Sequence, residues 1–103
     1  MARAIGDAEG VAIYTGNLSG LALDRKDWPG AEALAIEALS SAEKVGRQEL
    51  IAANCQRIAV ALARQGKKPD GLPYARRALE IYTKLGMASD IEVARATLRE
   101  CEG

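Results

Sequence analysis

The sequence predicts an all-α protein built from a repeated pair of helices, and three observations lead to this fold class. The 103-residue chain is rich in Ala and Leu and has four aromatic residues and no Phe, a composition that favours helix over sheet. Its apolar residues recur at helical spacing. A shift of 40 residues aligns Gly6, Gly46 and Gly86, each preceded by an aliphatic residue. One unit therefore occurs more than twice in a chain long enough for a single domain.

The first two helices are separated by a turn rich in polar residues, Pro and Gly. The first is expected at about residues 7–25, and the turn that follows it runs from Arg25 to Gly30. The second is expected at about 29–45, because Pro suits an early helical position and Gly46 suits a left-handed C-terminal cap. The second helix carries one apolar stripe, made of Leu34, Ala35, Ala38, Leu39 and Ala42.

The other three helices follow the same rules. The third is expected at about residues 48–65, between Gly46 and the second polar turn. The fourth, at about 69–85, begins at Pro69 and ends before Gly86, with Lys84 beside the negative end of the helix dipole. The fifth is expected at about 88–101. We therefore divide the single domain into repeat 1 at about 7–46, repeat 2 at about 47–86 and a capping helix at about 88–101.

Composition excludes several function classes. Fourteen basic and fourteen acidic residues give zero net charge, so no nucleic-acid partner and no anionic membrane surface is expected. The chain has no His, and its two Cys cannot complete a four-ligand zinc site. There is no phosphate-binding loop and no carboxylate pair across a pocket, so we expect neither a cofactor nor an enzymatic activity. Charges interrupt every apolar stretch, so no membrane span is expected. Two lone thiols fit a reducing compartment, and the sequence predicts a cytoplasmic protein.

Two segments, residues 61–81 and 27–39, resemble the tetratricopeptide repeat in its helix–turn–helix pattern. Trp28 occupies the aromatic turn position of that family, and Ala31 and Ala38 occupy its two small positions in the second helix. The resemblance implies antiparallel helix pairs stacked into a right-handed superhelix, here a solenoid of about two and a half repeats. The period exceeds the usual ~34 residues, as in the long-repeat variants of kinesin light chains and bacterial regulators.

Two further departures from the family pattern stand out, and the start of the chain carries an expectation of its own. Gly71 stands where the family has a small Ala. The last helix has polar residues where the earlier copies are mostly apolar, which predicts a solvated outer side; these are Arg95, Arg99 and Glu102. Residues 1–6 resemble the last turn of a helix that ends at Gly6, so the chain is expected to start inside a repeat.

The resemblance implies a protein-interaction module, with a partner peptide or domain on the concave surface formed by the first helix of each pair. Its proposed contact residues are Asn17, Asp24, Gln56, Arg57 and Arg64. An arginine fork suits a carboxylate, although these positions are also compatible with ordinary solvated side chains. The lysines and arginines of a chaperone-type carboxylate clamp are not reproduced.

A second hypothesis is structural. The chain would then be a stacked or helix-swapped segment of a larger regulator, with a homodimer favoured over other oligomers. Its self-association face is expected on the first helix, at Val11, Ile13, Tyr14, Leu18 and Leu21. Burial of such apolar area favours association. Trp28, Cys55 and Cys101 are expected to fill the core. The alternative for Trp28 is an anchor for a partner, and the alternative for Cys101 is exposure with an interchain link.

Overall fold

The computed structural model describes residues 4–103, with side chains from Asp7 onward, and this part of the chain contains five helices and no strand. The helices are α1 (Ala4–Asp24), α2 (Trp28–Val45), α3 (Gln48–Arg64), α4 (Lys68–Leu85) and α5 (Ala88–Glu102). The predicted all-α class is confirmed. Every predicted helix end lies within one residue of the observed end except the start of α1, which is three residues earlier.

The turns between helices contain residues that cap the helix ends. Asp27 accepts a hydrogen bond from the Gly30 N–H at 3.1 Å and so caps the start of α2. Gly46 and Gly86 end α2 and α4 with φ values of 77° and 69°, which confirms the predicted left-handed caps. Gly6 differs from them, because it lies inside α1 and ends no helix. That corrects the expectation for Gly6, while residues 1–3 lie outside the described part of the chain.

The helices form two layers. Helices that follow one another in sequence pack together, from α1 with α2 to α4 with α5. In addition, α3 contacts both α1 and α5. Within the described residues, no Cα atom of α2 lies within 8 Å of a Cα atom of α4. We therefore call α1, α3 and α5 the inner layer and α2 and α4 the outer layer. Side chains bridge the outer layer, as in the ion pair between Arg77 and Glu43 at 2.9 Å.

Small residues allow this close packing. Ala31, Ala35, Ala38 and Ala42 of α2 are all fully buried. Ser19 of α1 is fully buried as well, and its hydroxyl donates to the Ala31 carbonyl at 2.8 Å. Larger apolar side chains complete the core, with Ile58 of α3 the largest that is fully buried.

Position 71 has no room for a side chain, which explains the glycine there. A Cβ atom there would lie 3.0 Å from the Sγ of Cys101 and 3.1 Å from the carbonyl oxygen of Ala59. Both neighbours belong to helices that pack on α4, and the second is backbone. The departure from the family's Ala therefore allows α3, α4 and α5 to meet at this point.

Two other expectations concern exposure. Arg95, Arg99 and Glu102 of α5 are exposed, as the polar substitutions predicted. Trp28 differs from its expected core position, because it is only half-buried. The guanidinium carbon of Arg64 lies 5.5 Å from the centre of the Trp28 ring, a cation–π distance, so the ring contacts a surface arginine.

Candidate partner-binding surface

Arg57 of α3 is the central charge of the inner layer. It is half-buried, and its Nη1 donates to the Oδ1 of Asn54 at 3.0 Å. Asn54 is fully buried and donates from Nδ2 to the Leu50 carbonyl at 2.9 Å, so the acceptor of Arg57 is itself held in place. Within the described residues, no carboxylate pairs with Arg57.

The electrostatic state of Arg57 follows from this setting. Burial removes water from the guanidinium and lowers its pKa below the ordinary arginine value, and the nearby Tyr82 partly opposes that effect. Burial likewise raises the pKa of Tyr82 to about 12. An arginine that is partly dehydrated and lacks a carboxylate is a favourable site for an anionic group from outside the chain.

Gly16 of α1 makes the space for Arg57. A Cβ atom on Gly16 would lie 2.8 Å from Nη1 of Arg57 and 3.0 Å from Oδ1 of Asn54. A Cβ atom on Gly20, one turn further along, would be 3.9 Å from Nε of Arg57. The absence of a side chain at Gly16 therefore lets the guanidinium lie against the α1 backbone, whereas the distance at Gly20 is an ordinary van der Waals contact.

Gln56, the residue before Arg57, faces the opposite neighbour. Its Nε2 donates to the Oγ1 of Thr97 on α5. Its Oε1 is buried and has no hydrogen-bond partner in the described part of the chain. Consecutive side chains of α3 thus contact both flanking helices of the inner layer, Arg57 toward α1 and Gln56 toward α5.

Arg64, two turns further along α3, is already occupied by its own chain. Its Nε and Nη2 donate to the two carboxylate oxygens of Glu100 at 2.6 and 3.3 Å. The hydrogen bond and charge of Glu100 raise the pKa of Arg64. The two arginines therefore differ chemically, because the guanidinium of Arg64 binds a carboxylate and that of Arg57 binds an amide oxygen.

The remaining candidates lie on α1. Asn17 and Asp24 are exposed, and no hydrogen bond or ion pair joins either to Arg57, Gln56 or Arg64 among the described residues. Ile13 shares their helical stripe and is 42% exposed. Val93 of α5, 54% exposed, supplies an apolar group on the other side of the inner layer. The surface is therefore one half-buried cation between two exposed apolar side chains.

A second exposed surface runs along the other side of α1. It consists of Val11, Tyr14, Leu18 and Leu21, which are spaced by three, four and three residues and so lie on one stripe. Val11, Tyr14 and Leu21 are 38%, 67% and 50% exposed, and Leu18 is half-buried. We call these four residues the α1 outer stripe. Ile13, predicted to share this face, lies on the Asn17 stripe instead, because it is offset by about 100° from Tyr14.

Both cysteines are buried, as expected for core residues. Cys55 is fully buried, and burial raises its pKa to about 11. Cys101 is 3% exposed with a raised pKa, also mainly from burial, and its Sγ lies 3.8 Å from the Ala59 carbonyl oxygen. The alternative of an exposed Cys101 that links two chains does not hold for this conformation. Both thiols are protonated at neutral pH and poor nucleophiles.

Comparison with known families agrees with this architecture. The sequence pattern described as Tetratricopeptide repeat matches residues 11–45 and 55–85, which together make up more than half of the chain. The chain belongs to the tetratricopeptide repeat family. Comparisons with curated proteins and with solved structures give no match.

Membership of the tetratricopeptide repeat family confirms the coarse functional prediction. Tetratricopeptide repeats generally mediate protein–protein interactions, and the family is typically a non-enzymatic scaffold. Within the described residues, no helix is long and apolar enough to cross a membrane.

Sequence reasoning missed two residues of this tetratricopeptide repeat surface. Asn54 orients Arg57, and Glu100 fills the fork of Arg64. Asn54 had a signal, because a polar amide inside the apolar run from 51 to 63 must find partners when buried. Glu100 had no such signal. Its pairing joins residues 36 apart in sequence, which no local pattern encodes.

Proposed function

We propose that this chain is a protein-interaction module that holds a peptide or a segment of a partner protein on its inner layer, with Arg57 as the anchor. The observation that supports this most directly is the state of Arg57, which is half-buried, bonded to one amide and without a carboxylate partner in the described part of the chain. A partner carboxylate would accept hydrogen bonds from the other N–H groups of this guanidinium.

The neighbouring residues would contribute in different ways. Asn17 and Gln56 carry amides that suit the polar backbone of a bound segment. Ile13 and Val93 would cover apolar side chains on either side of Arg57. Asp24 at the end of α1 and Arg64 beside Glu100 lie at the margin, where they would influence orientation more than affinity.

A displayed library of random peptides tests the proposal, because selection from it does not require the partner to be identified. We expect peptides enriched on the protein to contain a carboxylate and to lose at least tenfold in affinity with Arg57→Gln. A matched control is Arg76→Gln, since Arg76 is an exposed arginine of the outer layer. Circular dichroism should show equal helicity for both variants. Enriched peptides that bind equally well to Arg57→Gln would refute the site.

A second candidate function is self-association through the α1 outer stripe. The supporting observation is that three of its four apolar side chains are more than a third exposed. Water-exposed apolar groups on one stripe favour helix packing. Val11→Glu or Leu21→Glu should then give a monomer, measured by light scattering after gel filtration. A dimer that persists in both variants would exclude this face.

The compartment is also a proposal. Two buried cysteines that form no disulfide are compatible with the reducing cytoplasm. We propose a non-enzymatic cytoplasmic scaffold. Fractionation of cells that express the tagged chain would test the location, and recovery of the chain in an extracellular fraction would contradict it.

A further inference from the structure

The α1 outer stripe has the same spacing when it is read from either end, as any stripe of alternating three- and four-residue steps does. Its four residues are placed evenly about position 16, with Tyr14 and Leu18 two residues to either side and Val11 and Leu21 five residues to either side. The same symmetry extends to charges at the two ends. Asp7 precedes Val11 by four residues, Arg25 follows Leu21 by four, and both are exposed.

All six positions lie on one line along the helix. Their spacings of four, three, four, three and four residues reproduce the seven-residue repeat by which paired helices keep one seam in contact. The Arg25 N–H bonds to the Leu21 carbonyl at 3.1 Å, so helical geometry continues to the basic end of the line.

We propose that the occupant of the α1 outer stripe is the same stripe of a second copy, packed antiparallel about a two-fold axis that crosses the stripe midway between Tyr14 and Leu18. Val11 then lies opposite Leu21 of the partner subunit, and Tyr14 opposite Leu18 of the partner subunit. The inference rests on the self-association described above and specifies its direction and register.

Charge favours this arrangement over a parallel pair. In the antiparallel register, the acidic end of each helix at Asp7 faces the basic end of the other at Arg25. In a parallel register the same residues would face their own copies, which places like charges together at both ends. The two-fold symmetry also closes the assembly at two copies, because the same patch is used on both subunits.

Mass measurement over a wide concentration range is the first test. The wild-type chain should form a dimer whose dissociation constant rises at least tenfold with Leu21→Glu. The matched control is Ile13→Glu, which places the same charge at an exposed apolar position of α1 outside the stripe and should leave the dimer intact. A wild-type monomer at every concentration would overturn both self-association and the antiparallel pairing, and would leave the stripe to a different protein.

Cross-linking then tests the register. A mixture of the Val11→Cys and Leu21→Cys variants should be joined by a short bis-maleimide, whereas Val11→Cys alone should not. In the antiparallel pair, the two copies of position 11 are ten residues apart along the seam, about 15 Å at the helical rise. The native cysteines do not interfere, because both are buried.

The cross-linking results distinguish the antiparallel register from self-association in general. Efficient cross-linking of the mixture with none in Val11→Cys alone supports the antiparallel register. Cross-linking of Val11→Cys with itself, in a dimer that Leu21→Glu disrupts, would retain self-association and refute the antiparallel register.

Discussion

Replacing Gly71 by Ala is expected to destabilise this protein, although it restores the residue typical of the family. Ala normally stabilises a helix interior by about 1 kcal/mol relative to Gly. At Gly71 the new Cβ would lie 3.0 Å from the Cys101 Sγ and 3.1 Å from the Ala59 carbonyl oxygen. Overpacking of a tight core costs about 1–3 kcal/mol. The expected net loss is about 1 kcal/mol, which lowers Tm by roughly 4–8 °C in a domain of this size.

Gly10→Ala is the matched control, since Gly10 lies within α1 and a Cβ atom there would meet nothing within 4 Å. It should raise the free energy of unfolding by about 0.5–1 kcal/mol. Both values come from urea unfolding followed by circular dichroism. Adding Cys101→Ala to Gly71→Ala should recover part of the loss in a double-mutant cycle, because it removes one of the two close contacts. If Gly71→Ala stabilises as much as Gly10→Ala, the steric explanation is wrong.

Three further predictions concern the inner layer and its pH dependence. Gly16→Ala should displace the Arg57 guanidinium and weaken peptide binding at least fivefold in a calorimetric titration, with helicity unchanged; undiminished affinity would contradict the role of the glycine. Glu100→Gln should lower stability by only about 0.2–1 kcal/mol, because its bond to Arg64 is partly exposed, and a loss above 2 kcal/mol would show a larger structural role. Burial raises the pKa of Cys55 from 9.0 to about 11, so the unfolded thiol ionises first and stability should fall between about pH 9 and 11. Cys55→Ala should flatten that decline in pH-dependent unfolding, and an equally steep decline would assign it to other groups.

The helices could be predicted because their signals are local. Pro29, Gly46 and Gly86 act through the backbone conformation of their own turn, and each stands where the sequence placed a helix end. Gly6 shows the limit of that reasoning. Glycine accepts both the helical and the left-handed conformation, so a glycine aligned with two caps still continued a helix.

The candidate site was only partly predictable, for a different physical reason. The resemblance to the tetratricopeptide repeat implied that Arg57 and Arg64 lie on the surface formed by the first helix of each pair, but it does not report what each guanidinium contacts. That depends on Gly16 and Glu100, which reach α3 from other helices. Two arginines that look alike in the sequence therefore differ in their contacts, because Gly16 and Glu100 come from other helices.

The spacing of the outer layer has a mechanical consequence. The Cα atoms of α2 stay more than 8 Å from those of α4, and exposed side chains such as Arg77 and Glu43 bridge the two helices. Such an ion pair resists stretching weakly, while the inner helices are in direct contact. The softest deformation of the array is therefore a fanning of the outer helices that changes its curvature. This elasticity would let the relative positions of the outer helices change without unfolding a helix.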